Sequence, residues 1–158
     1  MAAWMVALAP VGAGAFQPGD SDLPVGPPSR HLDYNPTIQA RLTASSDAFH
    51  QLAAVEGGRW AVRWDEVTQQ PVTLWAPGIR WDSSQVIEAA TAFLARNQAL
   101  TGIPADQLTL GHDSMSGDRR YLTFVQQIDG VPVEGGTVEF RLRRTDGNVD
   151  RLAMVRVE

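Results

Sequence analysis

Apolar residues recur at two different spacings along this chain, and the points where the spacing changes divide it into elements. Ile38, Leu42, Phe49 and Leu52 fall near the helical period, after an Asn35-Pro36 pair that suits an N-cap and first helical position. They predict one helix, or two short ones broken near Ser45-Ser46, ending at Gly57-Gly58. The period then becomes two: Trp60, Val62 and Trp64 alternate with Ala61 and Arg63, a polar turn covers Asp65 to Gln70, and Val72, Leu74 and Trp75 resume an extended run. This predicts a hairpin, and Pro71 at the start of its second strand places the pair toward the rim of a sheet. A helix is expected from Asp82 or Ser83, with Val86, Ala89, Ala90, Phe93, Leu94 and Leu100 as its stripe and Gly102 as its stop. Leu108 to Leu110 reads as a short strand before a polar loop from Gly111 to Asp118. Three further strands are expected at Tyr121 to Gln127, Thr137 to Arg143 and Val149 to Val155, with turns at Asp129-Gly130 and Asp146-Gly147-Asn148. Val138, Phe140 and Leu142 alternate with Glu139, Arg141 and Arg143, so this strand has one core face and one wet face. The fold class expected is α+β: a helix packed across a mostly antiparallel β-sheet, with an N-terminal helical segment and hairpin.

The first thirty residues follow neither period. Residues 1–15, MAAWMVALAPVGAGA, carry no charge and end in Ala13-Gly14-Ala15, a pattern suited to signal peptidase. They lack a basic n-region, so the segment is either an export signal or a hydrophobic N-terminus; the first reading places the protein in a secreted or periplasmic setting, with cleavage before Phe16. Residues 16–30 hold Pro18, Pro24, Pro27 and Pro28 with Gly19 and Gly26, an extended lead-in. The folded domain is expected over residues 31–158, and no window approaches the apolar length of a membrane-spanning helix.

Composition narrows the chemistry. The chain has no cysteine, and all 13 basic residues are arginine, which removes thiolate, Schiff-base and P-loop lysine mechanisms. The formal charge of −5 disfavours nucleic acid as a partner. Charge is uneven, with 6 Arg against 12 acids in residues 1–118 and 7 Arg against 6 acids in residues 119–158. Arg141, Arg143 and Arg144 could form an anion patch, although a solvated strand face is the simpler reading.

Candidate catalytic groups are sparse. His31, His50 and His112 are the only histidines and form no ligand-spaced pair, so no metal site is expected. His112, Asp113, Ser114 and Ser116 supply the residue types of a hydrolytic triad, but neighbours in sequence cannot converge as triad members do, and a polar surface loop is the simpler reading. Asp129 and Glu134 flank one connector and could meet, yet turn formation accounts for Asp129. Trp60, Trp64, Trp75 and Trp81 fall within 22 residues. Core packing is the commoner use of such a cluster, and an exposed platform of Trp60, Trp64 and Trp75 for a peptide or polysaccharide is the alternative.

The order of elements and the wording of particular segments resemble a known family. FLARNQALTGIPADQL in the helix, followed by RRYLTFVQQIDGVPVEGGTVEFRLRRTDGNVDRLA, resembles the FTP domain, the fungalysin/thermolysin propeptide module of secreted zinc metalloprotease precursors. The most specific piece is Gln126, then Asp129-Gly130-Val131-Pro132-Val133 and a glycine at 135 or 136; GGRWAVRWDEVTQQPVTLW at 57–75 resembles the hairpin before the helix in the fungalysin type. The resemblance implies a prosegment without cofactor that assists folding of a metalloprotease catalytic domain and inhibits it, in cis as a precursor fragment or in trans. It carries no zinc-binding motif of its own and is not expected to be an enzyme. The Asp129 to Val133 turn is then a point of partner contact or a structural necessity.

Overall fold

A computed structural model describes residues 34–145 and 148–158. The expected signal segment, the lead-in, His31 and two positions of the Asp146-Gly147-Asn148 turn lie outside the described residues.

The helical segment forms as two helices, α1 (Pro36–Ser45) and α2 (Asp47–Glu56). Asn35 caps α1 by accepting from the amides of Thr37 and Ile38. Ser46 ends α1 with an extended backbone and caps α2 through its hydroxyl, which accepts from Phe49 N at 3.2 Å. The hairpin follows as β1 (Ala61–Trp64) and β2 (Pro71–Asp82), and Pro71 is the first residue of its strand. Helix α3 (Val86–Arg96) leads through Asn97 into a short turn of helix, α4 (Gln98–Thr101), closed by Gly102 with a left-handed backbone. A 3₁₀ turn, Ala105–Gln107, precedes β3 (Leu108–Ser116), β4 (Arg119–Ile128), β5 (Val131–Arg144) and β6 (Val149–Val157).

All six strands join one antiparallel sheet in the order β1-β2-β6-β5-β4-β3. β3 to β6 are a meander, and β2 pairs with the last strand. The chain must therefore leave β2 near one side of the sheet and enter β3 at the opposite edge. The segment containing α3 makes that crossing, and the helices bury one face of the sheet. Trp60, Trp81, Phe93, Phe124 and Phe140 form a chain of ring contacts there, with Phe93 stacked on Trp60 at 5.9 Å and edge-on to Phe140 at 5.7 Å. Leu52, Leu74, Leu122, Leu152 and Val155 fill the rest of a core that excludes water from their side chains.

Several expected boundaries move. Residues 111–116 are strand rather than loop: β3 is an edge strand, wet on most of its length, so it needs no apolar alternation to pair with β4. β2 runs on to Asp82, with Ala76-Pro77-Gly78 as an irregularity within the strand rather than an end. Helix α3 consequently starts at Val86; Asp82 still accepts from Ser84 N, but as the anchor of the turn before the helix. The helix also stops short of Leu100, because the Asn97 side chain donates back to Phe93 O at 2.9 Å. β5 begins six residues earlier than its alternation suggests.

Candidate functional site

The segment that carries the family resemblance builds the distal half of the β4–β5 hairpin. Ile128 pairs with Val131 across a two-residue turn in which Asp129 and Gly130 both take positive φ, 51° and 79°. This is the primed turn whose twist matches that of flanking strands, and Asp-Gly is among the pairs that adopt it at least cost. Next to the turn, Gln127 pairs with Pro132 and Val125 with Thr137, so Gln126 faces the four residues Val133 to Gly136. The two glycines of that bulge serve different needs. Gly135 has φ 74° with open space around it, whereas a Cβ on Gly136 would come within 2.8 Å of Gln126 Cβ. Gln126 in turn donates to Gln107 Oε1 at 2.7 Å, tying the bulge to the 3₁₀ turn before β3. Ile128 and Val131 stand exposed at the tip, 51% and 66%. Asp129 and Glu134 make no hydrogen bond or ion pair with one another among the described residues.

The aromatic platform does not form. Trp60 and Trp64 share one face of the hairpin as expected, but it is the core face. Trp60 is 8% exposed and donates to Gly57 O; Trp64 is 3% exposed and donates to Thr43 Oγ1 at 2.9 Å. Indoles buried to this extent leave no ring face for a ligand. Trp75 alone of the three is exposed, at 44%, and lies on the opposite surface of the sheet.

The triad residue types are likewise dispersed. His112 and Ser114 sit on alternate positions of β3, with Asp113 between them pointing to the other face. There Asp113 accepts two bonds from Arg120, at 2.7 and 2.9 Å. These bonds hold its carboxyl below the ordinary carboxylate range, against the smaller opposing effect of burial. Arg120 also donates to Ser83 O at 3.0 Å and reaches Asp150 Oδ2 at 3.4 Å; Arg144 reaches Asp150 Oδ1 at 3.2 Å. Asp150 is fully buried. The network joins β3, β4, β5, β6 and the turn before α3 at one end of the sheet. Its charges balance, two carboxylates against two guanidiniums, so it behaves as a clamp. His50 lies on α2, where its Nε2 is 3.1 Å from Ala44 O. No group of three or more ligating side chains is placed to hold a metal among the described residues.

The arginine patch weighed at Arg141, Arg143 and Arg144 takes a different membership: Arg144 turns to Asp150, and Arg143 joins a row that sequence reasoning did not assemble. On the open face of the sheet, Arg80 of β2, Arg151 of β6, Arg143 of β5 and Arg119 of β4 are direct cross-strand neighbours in one row. The next row along the same face is Trp75, Met154, Arg141 and Tyr121, with the Arg141 guanidinium 5.9 Å from the Tyr121 ring centre. Alternation could have assigned each arginine to the wet face. Strand register, which a single sequence does not carry, was needed to align them.

Compared with models of known families, with curated proteins and with solved structures, the chain matches none of them. The fold defines a class: an α+β domain with a one-sided antiparallel sheet, a projecting hairpin and an arginine-lined open face. No helix among the described residues is long and apolar enough to cross a membrane.

Proposed function

We propose that the domain acts by binding a protein, as a propeptide-like module that assists folding of an exported zinc metalloprotease and restrains it. The observation that carries this reading is the hairpin built by the resembling segment. Its bulge is rigidly specified by Gln126, Gly135 and Gly136, yet it ends in two exposed apolar side chains, Ile128 and Val131, that no core requirement explains. An ordered arm with an apolar tip suits insertion into a partner surface, where a few anchors dominate binding. A second feature favours the same use. The short edge strand β1 is covered by α1, whose Gln39 side chain both donates to Trp64 O and accepts from Trp64 N. The longer edge strand β3 has no pairing strand on its outer side among the described residues, and an open edge can dock an extended segment of another chain.

The test is a refolding assay. The catalytic domain of a fungalysin-type metalloprotease is diluted from urea with and without the chain, and recovered proteolysis is measured. The expected outcome is a higher yield and slowed cleavage by the enzyme while the chain is intact, both weakened by Ile128→Asp with Val131→Asp. Absence of either effect at roughly tens of micromolar, across several such enzymes, overturns the reading.

A further inference from the structure

We propose that the arginine row on the open sheet face is a docking strip for an acidic, extended protein segment. Four guanidiniums occupy directly opposed positions on four adjacent strands, Arg80, Arg151, Arg143 and Arg119. Like charges placed directly across a strand pair are destabilising, so the arrangement is costly for the free fold. Only Arg143 is compensated, by Asp118 at 2.8 Å; Arg80, Arg119 and Arg151 form no ion pair among the described residues. The three inter-strand steps make the strip about 14 Å long. In an extended chain, side chains on one side recur about every 6.8 Å, so three alternating carboxylates cover that length. Each can meet a guanidinium fork, the geometry in which arginine exceeds lysine. The parallel row beside it offers Trp75 and Met154 for an apolar residue of the same segment.

Complementarity of charge also selects against a polyanion such as nucleic acid. The chain is net acidic at −5, and Asp82 and Asp118 border the strip on the same face. A phosphate backbone running past the strip would meet those carboxylates, whereas a short acidic segment ends where the strip ends. This inference rests on the preceding reading only for the identity of the partner; the strip's chemistry is independent of it.

The experiment is fluorescence anisotropy with a labelled oligoglutamate peptide added to the full chain at physiological salt. Saturable binding that weakens as salt rises is expected, with about tenfold loss in the Arg119→Gln/Arg151→Gln double variant and none in Arg41→Gln, an exposed helix arginine away from the strip. Peptide-induced shifts of arginine Nε–H resonances in the unaltered chain give the same answer without any variant. No saturable binding, equal binding by the double variant, or tighter binding of a single-stranded oligonucleotide than of oligoglutamate would each overturn the proposal. Oligoglutamate binding without any effect in the refolding assay removes the protease and keeps the strip; the converse removes the strip and keeps the protease.

Discussion

The two faces of the sheet are built from alternate residues of the same strands, yet they obey different rules. On the covered face, Leu122, Phe124, Val138, Phe140 and Leu142 meet the helices without admitting water, and the fully buried Asp150 is held between two arginines. On the open face, arginines align with their charges largely unanswered by neighbours. Residues of the first kind form the core, whereas those of the second lie outside it and so are available to contact a partner. Mutations on the two faces should therefore separate stability from binding.

The largest expected effect is at the centre of the covered face. Phe93→Ala removes the ring that touches Trp60, Trp81 and Phe140, and should cost about 3–5 kcal/mol, read as a fall in the urea midpoint followed by tryptophan fluorescence. That is a large part of the stability of a domain this size. A near-neutral result would mean that the helices are loosely docked on the sheet.

Asp150→Ala comes next, at roughly 2–4 kcal/mol by the same measurement, because it leaves Arg120 with a buried head lacking one partner. Arg144→Ala should cost less: its side chain is 40% exposed, and Arg120 remains on Asp150. Equal costs for the two would show that the clamp acts as a unit. The bulge gives a smaller, chemically resolved pair. Gly136→Ala forces Gln126 aside, at about 1–3 kcal/mol, while Gly135→Ala is opposed only by its left-handed backbone, at about 1–2 kcal/mol. Asparagine, which tolerates that conformation, should recover part of the loss at 135 and none at 136.

Those same glycines show how much the sequence revealed. Local devices were legible where one residue type had one physical use: Asn35-Pro36 opening α1, Gly102 closing α4, Asp129-Gly130 turning β4 into β5. So was the α+β class, through the alternation of Val138, Phe140 and Leu142. What depended on register or on an edge was not legible. The run His112 to Ser116 has no apolar alternation to betray it as strand, and the extended run expected at Val72, Leu74 and Trp75 gave no sign that β2 continues past Ala76-Pro77-Gly78 to Asp82. The tryptophans were ambiguous for another reason. Alternation puts Trp60 and Trp64 on one face but cannot say whether that face is covered, and α2 and α3 cover it. The arginine strip draws its members from residues 80, 119, 143 and 151, a grouping that only the sheet order creates.

Acid should distinguish the two kinds of charge. Asp113 has its folded-state carboxyl lowered by Arg120, so its contribution is fully present above the unfolded value of about 3.9 and is lost as pH falls below that toward the folded one. Urea midpoints of the wild type and Asp113→Asn should therefore differ at neutral pH and converge below about pH 4. A constant gap across that range would assign the effect of the substitution to packing.

The smallest stability effect is the most diagnostic one. Arg119→Gln/Arg151→Gln removes two exposed charges that have no carboxylate partner among the described residues and sit beside other arginines, so the change should lie within about 0.5 kcal/mol of zero and lean toward stabilisation. The lean should fade as salt is added, since screening already weakens the repulsion being relieved. Were the double variant instead destabilised by more than about 1 kcal/mol, the arginine stems would be packing elements of the open face, and the division between a face that folds and a face that binds would fail. Neutral stability together with lost oligoglutamate binding, set against unchanged binding in Arg41→Gln, places the two functions on opposite sides of one sheet, because the fold is then intact and removing an arginine away from the strip does not reproduce the loss.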